Sequence, residues 1–279
     1  MKSTLNLEAH KIERLEIELL FEALYRQYGY DFRNYSYESA RRRVLHRTQL
    51  DNLNSISELQ HRVLHDETAA DTLVQDLSIN VTEMFRDPLF YSALRKQVLP
   101  LLAEHEHIKV WHAGCASGEE AYSMAIMLTE MGLYGQSQLY ATDFNNTALD
   151  KAKSGVFPIK MMRDYTRNYQ EAGGRQQFSD YYHARYDGAV MDSALKKNLV
   201  FAHHNLTTDT SFGEMQIIVC RNVLIYFNRE LQERVLQLFA DSLCKGGFLC
   251  LGSHETLQLS SLAKRFETVS ANRRIYRMM

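Results

Sequence analysis

Proline is scarce in this chain, with three in 279 residues, and no stretch has the proline or glycine richness of a long linker. Cysteine is nearly as sparse. Cys115, Cys220, Cys244 and Cys250 are irregularly spaced, without the pairing of a zinc site or the density of a disulfide framework, and read as reduced thiols. No apolar run reaches the length of a membrane span, and the first residues, Met1 to His10, lack the apolar core of a secretion signal. The cytoplasm is the expected location. Neither sign of charge dominates: 32 basic against 34 acidic residues leave a formal net charge of −2, which argues against a general nucleic-acid binder. His112, His203, His204 and His254 show no ligand spacing with acids or cysteines, so they read as packing or surface residues and no metal is expected. What the chain does have is a 45% hydrophobic content, enough to bury a full core in one large domain or two unequal ones.

From about residue 7 to residue 77, apolar residues recur at three and four, as in Leu15, Ile17, Leu19, Leu20, Phe21, Leu24 and Tyr25, and no strand pattern interrupts them. Helices are predicted over 9–28, 37–48, 56–64 and 68–76, with breaks at Tyr28-Gly29-Tyr30-Asp31 and Asp51-Asn52. Residues 1–77 therefore read as a helical domain. From Ile108 the texture changes to short apolar strands alternating with helices: Ile108 to Ala113, a helix from Gly118, Leu139 to Asp143, a helix from Asn145, then Ile217 to Cys220. Such alternation predicts a parallel sheet covered on both faces. A further helix is expected from Arg229 to Leu243, ended by Lys245-Gly246-Gly247 before a strand from Phe248 to Gly252. Two more strands, Phe266 to Val269 and Arg274 to Arg277, close the chain. Between residues 155 and 200 the rhythm breaks. Tyr181 to Tyr186, Asp187-Gly188, Ala189 to Met191 and Leu199 to Phe201 read as a short antiparallel excursion. It would be a β-subdomain inserted at about 175–200 of a domain spanning 78–279.

Residues 108–120 read Ile-Lys-Val-Trp-His-Ala-Gly-Cys-Ala-Ser-Gly-Glu-Glu, an apolar strand broken by Gly114 and Gly118 into a helix that opens with two carboxylates. The glycines let the backbone turn tightly and come close to a ligand. A helix N-terminus ordinarily welcomes phosphate, but Glu119 and Glu120 would repel a pyrophosphate and suit a cationic ligand. The Gly-x-x-x-Gly spacing also departs from the dinucleotide fingerprint. S-adenosylmethionine, with sulfonium and ammonium charges, fits this turn better than NAD.

Asp143 ends the next strand, where a carboxylate can accept both hydroxyls of a ribose or cap the following helix. Asn80, Thr82 and Arg86 lie just before the alternating half. They fit either an Asn-capped helix start or a site in which the Arg86 fork clamps a carboxylate. Arg221 and Asn222 follow the strand that ends at Cys220, at the sheet edge where ligands of open α/β sheets bind. Tyr226, inside the apolar run Val223 to Phe227, reads by itself as a packing residue. Asn205-Leu206, after the strand Leu199 to His203, fits an adenine contact or a plain turn. Finally, Arg41, Arg42, Arg43 and Arg47 place four arginines within seven positions of one predicted helix. They make either a solvated face or a dock for acidic protein or nucleic-acid backbone.

Taken together, Asn80-x-Thr82-x-x-x-Arg86, Trp111 to Glu120, Ala141-Thr142-Asp143, Asn205-Leu206, Cys220 to Phe227 and Leu251-Gly252-Ser253-His254-Glu255 resemble the chemotaxis receptor methyltransferases, the CheR family. The resemblance spans nearly the whole chain. It implies an α/β fold: a class I S-adenosylmethionine-dependent methyltransferase with a Rossmann-like core, a small antiparallel β-subdomain insertion and an all-helical N-terminal domain. It also implies a protein-glutamate O-methyltransferase that converts S-adenosyl-L-methionine to S-adenosyl-L-homocysteine. The partners would be the cytoplasmic helices of chemoreceptors, in chemotaxis or a related signal transduction pathway, with neither nucleic-acid binding nor membrane insertion.

By the same resemblance, Asn80, Thr82, Arg86, Gly114, Glu120, Asp143, Asn205, Leu206, Arg221 and Asn222 line the cofactor, with Asp143 at its ribose and Glu120 at its cationic amino-acid end. Arg86 and Tyr226 would sit nearest the methyl group and orient the incoming carboxylate. Arg41, Arg43 and Arg47 would dock the acidic receptor helix. Some members bind a C-terminal receptor peptide through a glycine-rich loop, but residues 187–192 offer a single glycine, so the resemblance does not carry a tether. Two other functions fit much of the same pattern: a catalytically weak adaptor that senses the cofactor, and a methyltransferase acting on another substrate.

Overall fold

The computed structural model describes residues 2–78 and 82–279, with side chains from His10 onward. Two compact units divide the chain, one made of Met1–Ile79 with Ile225–Gln232 and the other of Asn80–Leu224 with Glu233–Met279.

The first unit is built on α1 (Lys2–Tyr28), α2 (Tyr37–Leu50), α3 (Ile56–His65) and α4 (Glu67–Leu77). Of the apolar run on α1, only Ile17, Leu20, Phe21 and Leu24 are buried, while Leu15, Leu19 and Tyr25 stay exposed. Their spacing of three and four puts the buried set on one stripe. The stripe faces α3, which buries Ile56, Leu59 and Val63. Helix starts are fixed by side chains: the Ser55 hydroxyl accepts from Glu58 N at 3.2 Å, and the Asp66 carboxylate accepts from Thr68 N at 3.0 Å. Gly29, at φ +80°, ends α1 in a left-handed turn that glycine adopts without strain. The segment Ile225–Gln232 joins this unit through backbone pairing. Ser36 N donates to Tyr226 O at 2.7 Å, and Asn228 N donates to Asn34 O at 2.9 Å.

The second unit contains the strands β1 (Ile108–Ala113), β2 (Ser137–Asp143), β3 (Val156–Pro158), β4 (Tyr182–Arg185), β5 (Gly188–Met191), β6 (Leu199–His203), β7 (Met215–Cys220), β8 (Leu243–Leu251), β9 (Phe266–Ser270) and β10 (Ile275–Met278). Seven of them form one sheet in the order β6-β2-β1-β7-β8-β10-β9. The first five in that order run parallel, and β10 pairs antiparallel with both β8 and β9. The central strands are nearly continuous apolar runs because helices cover them. The helices that follow the first unit in the chain are α5 (Pro88–Ala93), α6 (Leu99–Leu102) after a π turn, α7 (Glu119–Glu130), α8 (Asn146–Ser154), α9 (Met162–Glu171), α10 (Ser193–Lys196) and α11 (Arg229–Ser242), the last beginning within the Ile225–Gln232 segment of the first unit.

Three expectations are corrected. The inserted antiparallel sheet has the order β3-β5-β4 and begins at Val156, well before residue 175, because Val156 to Pro158 pairs with Gly188 to Val190. Leu199 to Phe201 is not part of it: these residues lie in β6, which pairs parallel with β2 at the edge of the main sheet. Lys245-Gly246-Gly247 does not end the long helix, which stops at Ser242. It sits inside β8 as an irregularity, where pairing with β7 jumps from Met215↔Leu243 to Ile217↔Phe248 and Gly246 takes φ +78°.

Candidate active site

Because β6, β2, β1 and β7 are parallel, their carboxyl ends share one edge of the sheet, and the chain leaves each through a polar turn. After β1, Gly114 (φ +77°), Ala116 (φ +48°) and Gly118 (φ +92°) carry the backbone into α7. A Cβ on Gly114 would lie 2.6 Å from Val223 Cγ2, and one on Gly118 would lie 2.8 Å from Ala152 Cβ. Both glycines are thus demanded by left-handed backbone and by neighbouring side chains of the protein itself. Gly114 N and Cys115 N both donate to Thr142 O at 2.9 Å, which ties the turn to β2.

Asp143, buried at the end of β2, completes this tie. Its Oδ2 accepts from Ala116 N and its Oδ1 from Asn145 N, each at 2.9 Å. The cap of α8 is Asn145, whose Oδ1 accepts from Ala148 N at 3.0 Å, so capping does not explain Asp143. Burial pushes the Asp143 carboxyl up, against the pull of those backbone N–H groups. In register beside it stands His203, the last residue of β6. Asn205 and Leu206 follow directly, at the same edge. There Asn205 Oδ1 accepts from Thr207 N at 3.0 Å and Thr207 Oγ1 at 2.8 Å, which closes a turn.

The two acids opening α7 behave differently. Glu119 turns inward, where Ser117 Oγ donates to it at 2.7 Å and the Tyr165 hydroxyl lies at 3.5 Å; burial pushes its carboxyl up to about 7. Glu120 instead joins a charged cluster. Its Oε1 meets His112 Nδ1 at 3.2 Å and its Oε2 accepts from Arg221 Nη1 at 3.1 Å. Burial alone would raise the Glu120 pKa, but the His112 hydrogen bond and the Arg221 charge outweigh it, and the net direction is down.

Arg221 also donates to Asp87 and to Arg86 O, the latter at 3.2 Å, and its guanidinium lies 4.1 Å from the centre of the Phe90 ring. With its side chain 2% exposed, Arg221 holds other groups in place. Glu120, at 17%, remains reachable. Leaving the imidazole aside, Asp87, Glu120 and Arg221 sum to one negative charge, which suits a cationic ligand.

Arg86 itself is set between two residues in left-handed backbone, Phe85 (φ +53°) and Asp87 (φ +58°), a conformation that side-chain-bearing residues seldom adopt. Phe85 is held there by rings, with Tyr91 at 5.0 Å and Tyr169 at 5.2 Å, and by its N–H donating to Ser123 Oγ at 2.9 Å. Thr82 is half-buried, and Asn80 lies outside the described residues.

Asn222, at φ +61°, belongs to a turn organised by a residue to which the sequence alone assigned no role. Glu255 is 3% exposed; its Oε2 accepts from Asn222 N at 3.1 Å and its Oε1 from Val223 N at 2.8 Å, and Gly252 N donates to it as well. It staples the turn after β7 to the end of β8. Its signal in the sequence was the Leu251 to Glu255 motif.

Tyr226 and the arginines of α2 lie in the helical unit. Arg43 donates through Nη1 to Asp76 O at 2.7 Å, and its guanidinium carbon stands 5.7 Å from the centre of the Tyr226 ring. Arg41 grips Glu13 through both oxygens, at 2.5 and 2.9 Å. Arg47 pairs with Asp76 and with Asp51, the latter at 3.2 Å. Arg42 is exposed, with no ion pair among the described residues. An open groove of about 820 Å³ is lined by Arg41, Arg42, Arg43 and His46 together with Glu38 and Asp76.

Similarity to known proteins agrees with this layout. Residues 15–78 match the all-alpha domain of CheR methyltransferases, and residues 80–275 match their SAM binding domain. Cher3 of Pseudomonas putida is 51% identical over 263 residues, covering 94% of this chain and 96% of its own. A chemotaxis protein methyltransferase of Listeria monocytogenes is 31% identical, over 83% of this chain and 86% of its own, and chemotaxis protein methyltransferase 1 of Vibrio cholerae is 33% identical, over 79% and 80%. With its helical unit, its seven-stranded sheet and an S-adenosylmethionine-binding domain, the chain belongs to the CheR methyltransferase family.

Proposed function

We propose that this protein methylates glutamate side chains on the cytoplasmic helices of chemoreceptors, forming glutamate methyl esters. The observation that carries the reading is the cluster of Asp87, Arg221, Glu120 and His112 at the carboxyl edge of the sheet, which keeps one net negative charge beside a glycine turn. S-adenosylmethionine, when bound, supplies an electrophilic methyl group on a sulfonium centre. Glu120 would take its ammonium group, Asp143 its ribose hydroxyls, and Asn205 with Leu206 its adenine. Gly114 and Asn222 would shape the turns around it, with Asn80 and Thr82 in the approach to Arg86. Arg221, being buried, would act by fixing Glu120 and the backbone of Arg86.

An acceptor glutamate is already ionised near neutral pH, so it attacks without a general base. What the chain must supply is positioning and a dry site. In the sheet unit Arg86 would orient the acceptor carboxylate; in the helical unit the α2 groove, with Arg41, Arg43 and Arg47 behind it, would receive the acidic receptor helix. The names of the Listeria and Vibrio relatives support a role in chemotaxis, and a cytoplasmic location follows from that role. Incubation of the protein with methyl-labelled cofactor and receptor-enriched membranes is expected to place base-labile label on receptor glutamates. Base-stable label, or label on nucleic acid, would overturn the reading in favour of another substrate, and cofactor binding without any transfer would favour an adaptor.

A further inference from the structure

His112 sits within β1 with no exposed surface. Its Nδ1 meets Glu120 Oε1 at 3.2 Å, and its Nε2 is buried with no hydrogen-bond partner. An ionised carboxylate can only accept, so Nδ1 carries the hydrogen of this bond. An apolar side chain of similar size would fill the position without burying an unpartnered nitrogen. What the imidazole adds is therefore its bond to Glu120. The Arg221 guanidinium takes the other oxygen at 3.1 Å, so the two donors together set the plane of the carboxylate while leaving it reachable.

We propose that His112 is a positioning residue, which holds the Glu120 carboxylate ionised and oriented to receive the ammonium group of S-adenosylmethionine. The inference rests on the reading of Glu120 as the ammonium acceptor and adds the group that makes it one. Arg221 alone leaves Oε1 free to rotate away or to take a proton. The imidazole prevents both, because its hydrogen bond favours the charged form.

The test compares His112→Leu, His112→Asn and His112→Gln for binding of S-adenosylhomocysteine, which carries the same ammonium group, by calorimetry between pH 8 and pH 5. His112→Leu is expected to weaken binding about tenfold, as loss of a hydrogen bond to a charged group does. His112→Asn, whose amide NH2 reaches the place of Nδ1–H, is expected to restore it to within about twofold, and His112→Gln to behave like His112→Leu. As pH falls, affinity of the Leu variant should begin to drop at a higher pH than that of the native protein, since Glu120 would protonate more readily. Arg221, Asp87, Tyr91, Cys115, Cys220 and Cys250 also surround this carboxylate and are common to all the proteins compared, so the displacement between curves reports on His112.

Native affinity and an unchanged pH profile in His112→Leu would overturn the proposal, and so would an Asn variant as weak as the Leu variant. If the Leu variant does not fold, the contrast between Asn and Gln carries the test alone. Glu120→Gln separates the two levels of argument. If Glu120→Gln binds as the native protein does, the reading of Glu120 fails; if it is weak while His112→Leu is not, only the role of His112 fails.

Discussion

Arg221 in the sheet unit and Arg41 in the helical unit are both held by carboxylates, yet they stand at opposite ends of what an ion pair can do. Arg221 is 2% exposed and bridges Asp87 and Glu120, whereas Arg41 is 31% exposed and grips Glu13 alone. Taking charges out of water is expensive, so a buried arginine must stay paired, and removing it strands its partners. A half-exposed pair is screened and contributes little, so an incoming carboxylate can take the place of Glu13 at small cost. The charges at the sheet edge are thereby fixed in place, as the proposed cation site would require. The arginine helix is exchangeable, as would suit the proposed docking and release of an acidic receptor helix.

The strongest way to break this contrast is Arg221→Met, which leaves the mostly buried Glu120 with His112 as its remaining partner and hands the half-exposed Asp87 to water. It should lower stability by about 3 kcal/mol, a fall in melting temperature on the order of several degrees readable by calorimetry. An unchanged melting temperature would mean that the cluster is not structurally coupled.

Next comes Glu119. Its folded pKa, about 7 against an ordinary 4.5, lies above the unfolded value, so the native state binds more protons between these limits. Stability is then highest below the unfolded pKa and declines as pH rises through the folded one. The loss amounts to about 3 kcal/mol, and Glu119→Gln should abolish that share of the pH dependence. Parallel stability profiles for the two proteins between pH 4 and pH 8 would contradict the assignment.

Asp143→Ala should weaken cofactor binding by roughly tenfold to a hundredfold in a calorimetric titration, because both the ribose acceptor and the anchor of Ala116 are lost. The smallest effect is reserved for Arg41→Ala. Stability should scarcely change and cofactor affinity not at all, while the KM for receptor-enriched membranes rises several-fold. Equal losses in cofactor affinity and acceptor KM would erase the division between the two regions.

Local order was well legible. The helical texture of α1 is plain in its spacing, and the predicted breaks at Gly29 and Asn52 coincide with left-handed backbone. Periodicity could not say which of its apolar residues would be covered: Leu15 and Leu19 look as buriable as Ile17 and Leu20, and only the partner face of α3 separates them. Edge strands were harder. Half of β6 faces water, so its pattern resembles that of the neighbouring hairpin, and three-residue β3 has too few residues to show alternation at all. In the site, the carboxyl-edge placements of Glu120, Asp143, Asn205 and Arg221 were readable from strand ends. The different fates of Glu119 and Glu120 were not, since adjacent helical residues point about 100° apart and only the surroundings decide which one meets a cation.

By itself the sequence determined the local choices: where helices start, where glycine must turn the chain, which runs are apolar enough to be central strands, and that a glycine turn ends in acids. These depend on neighbours a few residues apart, and so they are written locally. Tertiary structure decided the charge partners. Arg221 lies 101 residues from Glu120 and 134 from Asp87, and Arg41 lies 28 from Glu13. Whether such a charge is buried and fixed or exposed and exchangeable depends on the layers folded over it, which no stretch of chain specifies alone.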